Sequence, residues 1–347
     1  MAYTTINKST DYFNTKLYTG NASTNAITGV GFEPSFTWIK GRGTTNAHML
    51  FDAVRGVGEA LNTNNNNAEA TVATAFTAFG SDGFTVGNYS ETNTNSENYA
   101  SWNWKANGLG SSNTDGTINS IYTSANTTSG FSIVTYTGNA TQTQTVGHGL
   151  GVAPKLIIFK SSTSTEDWSI CCPSVLGVDG RLTLNTTAAN SIGDNTFWNS
   201  TAPSSTLFSL GNNSRANASG QTIVAYCFAE KQGFSKFGSY KGLGGSGEPF
   251  IYTGFKPAFI ITRNITSAVN WGMFDDKRNP FNVVQNVLLP DNSAAETTGT
   301  AKHFDFLSNG FKVKNDSLQY NGNNENHIYM AFGQTLVGTN NVPANAR

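Results

Sequence analysis

Charged side chains are scarce in this sequence. Lys, Arg, Asp and Glu make up 12% of its 347 residues and leave a net charge of −1, whereas soluble globular proteins carry about twice that charged fraction. The basic residues form no run along the chain. Because nucleic acids and anionic membranes are bound by clusters of Lys and Arg, the sequence predicts neither kind of partner.

Long apolar runs, a secretion signal and a disulfide framework are also lacking. The apolar runs, such as residues 156–159, have the length of a strand, so we predict no membrane insertion. Residues 1–5 contain neither the basic nor the apolar region of a signal peptide, so we expect synthesis in the cytoplasm without secretion. The cysteines are odd in number and two are adjacent, which favours reduced, partly buried thiols. They are Cys171, Cys172 and Cys227.

Motifs of the common enzyme classes are missing. The sequence contains no nucleophile elbow, HExxH pair, Walker loop or zinc-spaced Cys/His set. Its histidines, His48, His148, His303 and His327, stand in unrelated contexts. The small neighbours of His148 favour a conformational role in a turn. We therefore predict that the protein is not an enzyme, with no catalytic residues, no cofactor and no metal site.

Two acidic arrangements offer weaker alternatives. Asp275 and Asp276 could be the paired carboxylates of a glycosidase, but neighbouring residues of a strand point to opposite faces. Asp82, Asp194 and Asp316 stand in loop-like segments, where calcium could bind. Their spacing matches no calcium motif, so the interpretation we prefer is ordinary Asx turns.

One pattern recurs three times along the chain. Each copy opens on a Tyr-x-Gly element, which begins at Tyr18, Tyr136 and Tyr240. A Gly-x-x-Pro element follows, with an apolar run and a basic residue behind it, and each copy closes on an aromatic segment. The Gly-x-x-Pro elements with their apolar runs are residues 31–40, 151–160 and 254–263. The constant order of these elements indicates three copies of one structural unit.

Short apolar runs between turn residues are typical of buried β-strands. The sequence therefore predicts an all-β fold of three tandem antiparallel β-sandwich domains of jelly-roll-like type. We place the domains at residues 1–110, 111–233 and 234–347. The second should begin with a linker rich in Ser, Thr, Asn and Gly (108–130), and the third should end in an extended C-terminal arm (337–347).

The apolar residues behind each proline are the predicted core. Trp102 and Trp104 alternate along a strand, so we expect them to share one face in the core, with sugar stacking as the alternative. Trp198 lies between strand-like segments and is the tryptophan that we expect to be most exposed, which makes it a candidate ligand-stacking residue. The predicted core residues are Phe36, Ile39, Leu156, Ile158, Phe259 and Ile261, with Tyr99, Tyr226 and Tyr329 close to them.

The surface implied by the composition is polar but poor in charge. Asn, Thr, Ser and Gly take the place of charged residues, as is common in extracellular fibres, adhesins and shells. A chain made in the cytoplasm without a secretion signal does not fit ordinary extracellular proteins. Virion proteins of bacteriophages combine both properties, because they assemble in the host cytoplasm and leave it by lysis.

Several segments carry a resemblance to a known family. Residues 12–21, 99–106, 147–155 and 342–347 are similar to segments of tail-fibre-like virion structural proteins from marine and cyanobacterial tailed phages. The Gly-His-Gly-Leu-Gly segment from Gly147 is the most specific part. The resemblance covers nearly the whole chain and brings no catalytic motif with it. It implies a structural protein located in the virion.

The resemblance leaves two functions open. The first is a tail-fibre or adhesin-like protein of a cyanophage that mediates host attachment by multivalent binding, with other virion proteins and host surface glycans as partners. The alternative is a head (capsid) decoration protein, or another shell or tail-assembly protein, that stabilises the particle. We expect a homo-oligomer, with a trimer favoured, although three repeats in one chain also permit a pseudo-trimeric monomer.

Overall fold

The structure is a computed structural model that describes residues 4–298 and 303–335. Most of its regular structure is antiparallel β-sheet, which confirms the predicted all-β, sandwich-like fold class. The predicted C-terminal arm, residues 337–347, lies outside the described residues. Within the described part of the chain, no helix has both the length and the apolar character needed to cross a bilayer.

Strands and one-turn helices follow in a similar order in three successive stretches, called repeats 1, 2 and 3. Repeat 1 contains β1 (Phe13–Thr19), β2 (Asn25–Thr28), β3 (Phe36–Gly41), β4 (Met49–Asp52), β5 (Glu59–Asn62), β6 (Ala70–Thr71), β7 (Ala78–Gly80), β8 (Gly83–Val86), α1 (Ser90–Asn93) and β9 (Asn98–Trp104). Repeat 2 contains β10 (Ser120–Asn126), β11 (Phe131–Thr137), β12 (Gln144–Gly147), β13 (Leu156–Ser161), β14 (Ser169–Cys171), α2 (Pro173–Leu176), β15 (Leu182–Thr183), α3 (Asn195–Trp198), β16 (Leu207–Leu210), α4 (Ser214–Asn217) and β17 (Thr222–Phe228). Repeat 3 contains β18 (Ser235–Lys241), β19 (Phe250–Tyr252), β20 (Phe255–Asn264), β21 (Gly272–Asp275), β22 (Phe304–Leu307), β23 (Gly310–Val313), α5 (Leu318–Asn321) and β24 (Asn326–Thr335). Turns of 3-10 helix lie at Ser9–Asp11 and Gly244–Ser246.

Each repeat contains one large and one small sheet. The large sheets have the strand orders β1-β9-β3-β4-β5-β6, β10-β11-β17-β13-β14-β15 and β18-β24-β20-β21, and the small sheets β2-β8-β7, β12-β16 and β19-β23-β22. Every large sheet contains the same run of four neighbouring strands, which is β1-β9-β3-β4 in repeat 1, β11-β17-β13-β14 in repeat 2 and β18-β24-β20-β21 in repeat 3. In each run the order is the opening strand of the repeat, its closing strand, the strand with the apolar run behind the shared proline (the post-proline strand) and the strand that follows it in the chain. The repeat in the sequence therefore corresponds to a repeated topology, while the domain boundaries stay a prediction.

The strand registers agree as well. In each repeat, the residue two positions after the shared proline pairs with the same position of the closing strand. Because of this agreement, the repeats can be compared residue by residue. The three pairs are Phe36 with Trp104, Leu156 with Phe228, and Phe259 with Phe332.

Both faces of each large sheet are buried. One face packs against the small sheet of the same repeat and forms that repeat's own core. The other face packs into a core that all three repeats share. In β9, Tyr99 belongs to the core of repeat 1, whereas Trp102 and Trp104 belong to the shared core, as predicted. Burial on both faces explains why the post-proline strands are continuous apolar runs and do not alternate.

The shared core brings aromatic rings of all three repeats into contact. Phe13 of repeat 1 stacks on Phe332 of repeat 3, with 5.2 Å between the ring centroids. Phe36 of repeat 1 lies 4.7 Å from Tyr226 of repeat 2. The indole of Trp104 packs edge-on against rings of both other repeats. Aromatic pairs of this kind bury large apolar areas, so the shared core joins the repeats into one body.

The predicted core residues are confirmed. The six post-proline residues are at most 8% exposed, and the three tyrosines at most 3%. All three cysteines are buried free thiols, as expected. The confirmed core positions are Phe36, Ile39, Leu156, Ile158, Phe259 and Ile261, with Tyr99, Tyr226 and Tyr329.

Equivalent hydrogen bonds join the repeats in a closed ring. In each repeat, a backbone N–H of one loop donates to the carbonyl at the end of the next repeat's post-proline strand. The bonds run from repeat 1 to 2, from 2 to 3 and from 3 to 1, so the repeats have approximate threefold symmetry within one chain. The three bonds are Glu69 N to Ser162 O (2.8 Å), Asn190 N to Ile265 O (3.0 Å) and Glu296 N to Arg42 O (2.7 Å).

A second ring of contacts uses side chains. The indole of Trp168 donates to the carbonyl of Asn62 at 2.8 Å, and the indole of Trp271 donates to the carbonyl of Thr183 at 3.2 Å. His48 occupies the corresponding position in repeat 1 and interacts with the backbone of repeat 3. One chain thus supplies the threefold symmetry that we expected from a homotrimer, and the oligomeric state itself stays a prediction.

Residues 120–126 of the segment predicted as a linker (108–130) form a strand, so the linker prediction is wrong there. β10 pairs antiparallel with β11 and forms the edge of the large sheet of repeat 2. Just before it, Ile118 is buried in the core of that repeat. The Ser- and Thr-rich composition resembles a linker, but β-branched residues also favour a half-buried strand. Pairing with β11 decides between the two.

A buried ion network recurs in repeats 1 and 3. In repeat 1, the guanidinium of Arg55 lies 2.6 Å from Asp52 and 2.5 Å from Glu69. The equivalent network of repeat 3 has Arg278 between an aspartate and a glutamate. The carboxylate of Asp52 also accepts a 2.7 Å hydrogen bond from the hydroxyl of Tyr226 in repeat 2. These networks therefore contribute to the contacts between repeats.

Repeat 2 replaces the whole network. Cys172, Val175 and Asn190 stand at the positions of the aspartate, the arginine and the glutamate. None of these three side chains is charged, so the site is neutral in repeat 2. Removing one partner of a buried ion pair leaves an uncompensated charge and is strongly destabilising, whereas replacing the whole set can be nearly neutral. This asymmetry explains why all three residues differ together.

Repeat 2 supplies a matched test of this network. We expect Arg55→Val to lower the free energy of unfolding by about 3–5 kcal/mol, because the buried carboxylate of Asp52 and the partly buried one of Glu69 then lose their cationic partner. The triple variant Asp52→Cys, Arg55→Val, Glu69→Asn copies repeat 2 and should be less destabilised than the single variant. Denaturant titration of both variants measures the difference. A triple variant with the summed cost of its single changes would contradict this account.

The shared core makes a separate prediction at Phe259, which is fully buried and contacts Phe13 and Trp104 of repeat 1. Phe259→Ala should lower the free energy of unfolding by about 3–5 kcal/mol in denaturant titration, as for other buried aromatic residues. Phe281→Ala is the matched control, because that side chain is 76% exposed. A loss below about 1 kcal/mol for Phe259→Ala would show that the ring is not in the core.

Candidate functional site

Trp198, the predicted stacking residue, is buried, so the expected exposure is wrong. Its side chain is 2% exposed, its indole N–H donates to the carbonyl of Gly180 at 3.1 Å, and its ring packs against Phe159 at 4.7 Å. Asp194 caps α3 through the N–H of Thr196, and this helix turns the indole inward. A ring in this position has no free face for a sugar.

The histidines are spread through the structure and are built into it. The Nδ1 atom of His148 accepts from the N–H of Leu150 at 3.2 Å, in keeping with the predicted conformational role. The Nδ1 atom of His48 accepts from the indole of Trp38 at 2.9 Å. Burial lowers the pKa of both imidazoles. Across residues 4–298 and 303–335, no group of three His, Cys, Asp or Glu side chains could hold a metal ion.

The acidic candidates have structural partners. Asp82 accepts hydrogen bonds from the backbone N–H groups of Gly29 and Gly31 at 2.9 and 2.7 Å. Asp275 is paired with Arg278 and accepts from an indole of repeat 1. These contacts fit the interpretation of turns and caps better than that of calcium binding. Asp316 has a different position, since it lines a cleft of repeat 3.

Two exposed aromatic rings lie next to that cleft. Phe250 and Tyr252 are 47% and 53% exposed, and both project from the outer side of β19, an edge strand of the small sheet. Ile251 between them is buried. Across the strand pair they face Lys312 and Gly310. We call these four outward residues, Phe250, Tyr252, Gly310 and Lys312, the aromatic face.

The aromatic face breaks the symmetry of the molecule. By strand register, the two ring positions correspond to Ala26 and Thr28 in repeat 1. In repeat 2 they correspond to Thr145 and Gly147. Small residues at these positions are enough to build the small sheet. The two rings of repeat 3 are therefore not required by the fold.

Ion pairs border the aromatic face. Glu248 lies 2.7 Å from the amine of Lys312 and 2.8 Å from that of Lys314. Hydrogen bonds from these two lysines lower the pKa of the Glu248 carboxyl to about 2. On the other side, the amine of Lys236 lies 5.7 Å from the centre of the Tyr252 ring. The rings thus stand between an ion-paired cluster on one side and the amine of Lys236 on the other.

The cleft of repeat 3 continues from this border. It has a volume of about 590 Å³. Its wall is held in place by His303, whose Nδ1 atom lies 2.7 Å from the amide nitrogen of Asn315. Glu248 and Lys314 belong both to the cleft and to the ion pairs beside the aromatic face, so the two features form one continuous surface. The cleft is lined by Gly244, Gly245, Gly247, Glu248, His303, Lys314, Asn315, Asp316 and Ser317.

A buried asparagine fixes the cleft and was missed in the sequence. The side-chain amide of Asn321 donates to the carbonyls of Gly244, Gly247 and Asn315. Asn93 and Asn217 close the corresponding short helices of the other repeats and hold the same loops. Each of the three asparagines stands six positions before the closing-strand residue that pairs with the tyrosine of the Tyr-x-Gly element, so their equivalence becomes visible only with the strand register.

A comparison with protein families now adds to this geometry. One family model, described as Domain of unknown function (DUF7483), matches residues 8–335. The chain belongs to this family. The match spans all three repeats, so the DUF7483 unit corresponds to the whole three-repeat body. No curated protein and no solved structure matches the chain.

The cleft histidine predicts a pH dependence. Burial lowers the pKa of His303 from 6.5 to about 4, so between these values the unfolded chain binds a proton that the folded protein does not. Stability is therefore lost as the pH falls through this range. We expect the free energy of unfolding of the wild type to fall more steeply than that of His303→Gln between pH 6.5 and 4. Parallel curves would rule out this contribution of His303.

Proposed function

We propose that this chain is a bacteriophage virion structural protein that acts by binding the host surface and is not an enzyme. The observation that carries the proposal is the pair of exposed rings at Phe250 and Tyr252, at positions where the other repeats have small residues. Exposed aromatic residues beside a cleft are typical of ligand recognition. The resemblance of residues 12–21 and 147–155 to tail-fibre-like virion proteins supports the same function.

The rigid body suits such a role. Each large sheet is covered on both faces and the repeats are bonded in a ring, so the outer loops and small sheets can differ without disturbing the frame. Binding residues are found on such variable segments of a rigid scaffold. Weak single sites would become effective when many copies act together on one particle.

A non-enzymatic role is supported by where the polar side chains lie. The described histidines stand in four separate settings, and the candidate aspartates Asp82 and Asp275 are engaged in backbone and ion-pair contacts. A glycosidase would need two carboxylates on opposite sides of one bond. Glu248 and Asp305, which lie beside the aromatic face, are both paired with the amine of Lys314. These two carboxylates are therefore engaged by a lysine.

Competition for adsorption tests the proposal. Purified protein in excess is added to host cells before the phage, and the fraction of phage that remains unadsorbed is counted. We expect block of adsorption that increases with protein concentration, because the protein occupies the sites that the particle uses. The same protein denatured by heat is the control.

Other outcomes would contradict the proposal. Absence of binding to cells, together with immunogold labelling of heads and loss of capsid stability when the protein is omitted, would overturn host binding and leave the decoration function. Release of reducing sugar from host envelopes by the purified protein would overturn its non-enzymatic nature.

A further inference from the structure

We propose that the aromatic face of repeat 3 binds an uncharged oligosaccharide, with the rings of Phe250 and Tyr252 stacked on neighbouring sugar rings. This inference deepens the proposed host binding and rests on it for its biological setting. Its physical basis is the arrangement of the rings, the ion pairs and the cleft.

The rings form a platform along one strand. Residues two apart on a strand point to the same side, and Ile251 between the rings anchors β19 in the core of repeat 3. Gly310, opposite Tyr252, is required by the fold, because a Cβ atom there would clash with the backbone carbonyl of Ile251, as it would at Gly83 of repeat 1. The amine of Lys236 lies over one face of the Tyr252 ring, 5.7 Å from its centre, at a distance where a cation attracts the ring. Exposed aromatic rings at the edge of a cleft suit the C–H faces of sugar rings.

The charges beside the rings favour an uncharged, hydroxyl-rich ligand. Glu248 pairs with Lys312 and Lys314, and Asp305 lies 3.8 Å from Lys314. These two carboxylates and two amines balance each other, and a further charge beside the rings is the amine of Lys236. The carboxylates still accept and the amines still donate hydrogen bonds. The hydroxyl groups of a sugar both donate and accept hydrogen bonds, so one sugar chain could stack on the rings and form hydrogen bonds with the ion-paired groups.

A protein partner fits this surface less well. A protein interface would have to remove the ion pairs of Glu248 from water, and the desolvation of such pairs is costly. A sugar chain leaves much of their hydration in place or replaces it with its own hydroxyl groups. The edge strand β19 could pair with a strand of another protein, so the test below includes this outcome.

Affinity electrophoresis in native gels provides the test. The full chain is run through gels that contain dextran, laminarin or galactomannan, each a neutral polysaccharide. We expect at least one of them to retard the wild type. Phe250→Ala and Tyr252→Ala should each weaken the affinity by roughly tenfold, as expected for the loss of one stacking contact. Ile192→Ala, which changes an exposed apolar residue of repeat 2, should leave it unchanged.

The outcomes separate this inference from the proposed function. Equal migration in all three gels, or equal retardation of the wild type and the double variant Phe250→Ala, Tyr252→Ala, would overturn saccharide binding at this face. A self-associated wild type that the double variant converts to a monomer in size-exclusion chromatography would also overturn it in favour of a protein interface. If the double variant is retarded in the gels like the wild type and also still blocks phage adsorption, the inference fails while host binding stands.

Discussion

The need to cover both faces of each large sheet is the constraint on which the structure depends. A sheet whose post-proline strand has apolar residues on both faces cannot leave either face in water. The small sheet of each repeat covers one face, and the other large sheets cover the second. Three such units close on themselves through equivalent hydrogen bonds. The closed arrangement leaves no large sheet face that a fourth unit would have to cover.

This constraint acts on the interior and leaves the outside free to change. At the contacts between repeats, Asp52, Arg55 and Glu69 have an uncharged counterpart in repeat 2, and the three positions differ together because a partial network would leave buried charges unpaired. On the outer side of the small sheet of repeat 3, the ion pairs beside the aromatic face are partly exposed, so a change there leaves no buried charge unpaired. Phe250 and Tyr252 could therefore arise in repeat 3 alone, on a frame that all three repeats build.

The sequence predicted the parts of the fold that depend on local pattern. Repeated elements and apolar runs predicted the strands and the buried positions, such as Phe259, because burial follows from hydrophobicity. Trp198 was mistaken for an exposed ring, because its position depends on the inward turn of a four-residue helix. Residues 120–126 were taken for a linker, because pairing with β11 is a long-range contact. The aromatic face could not be predicted from the sequence. The alternation along a strand shows that the side chains of Ile251 and its two neighbours point to opposite sides, but it does not show which side faces the solvent.

The central claim is that three repeats share one core and form a single body. Differential scanning calorimetry of the full chain tests it most directly, because independent domains unfold separately. The account predicts one transition in which the van't Hoff enthalpy equals the calorimetric enthalpy. Resolved transitions, or a van't Hoff enthalpy of about one third of the calorimetric value, would show three units that unfold independently and would contradict it.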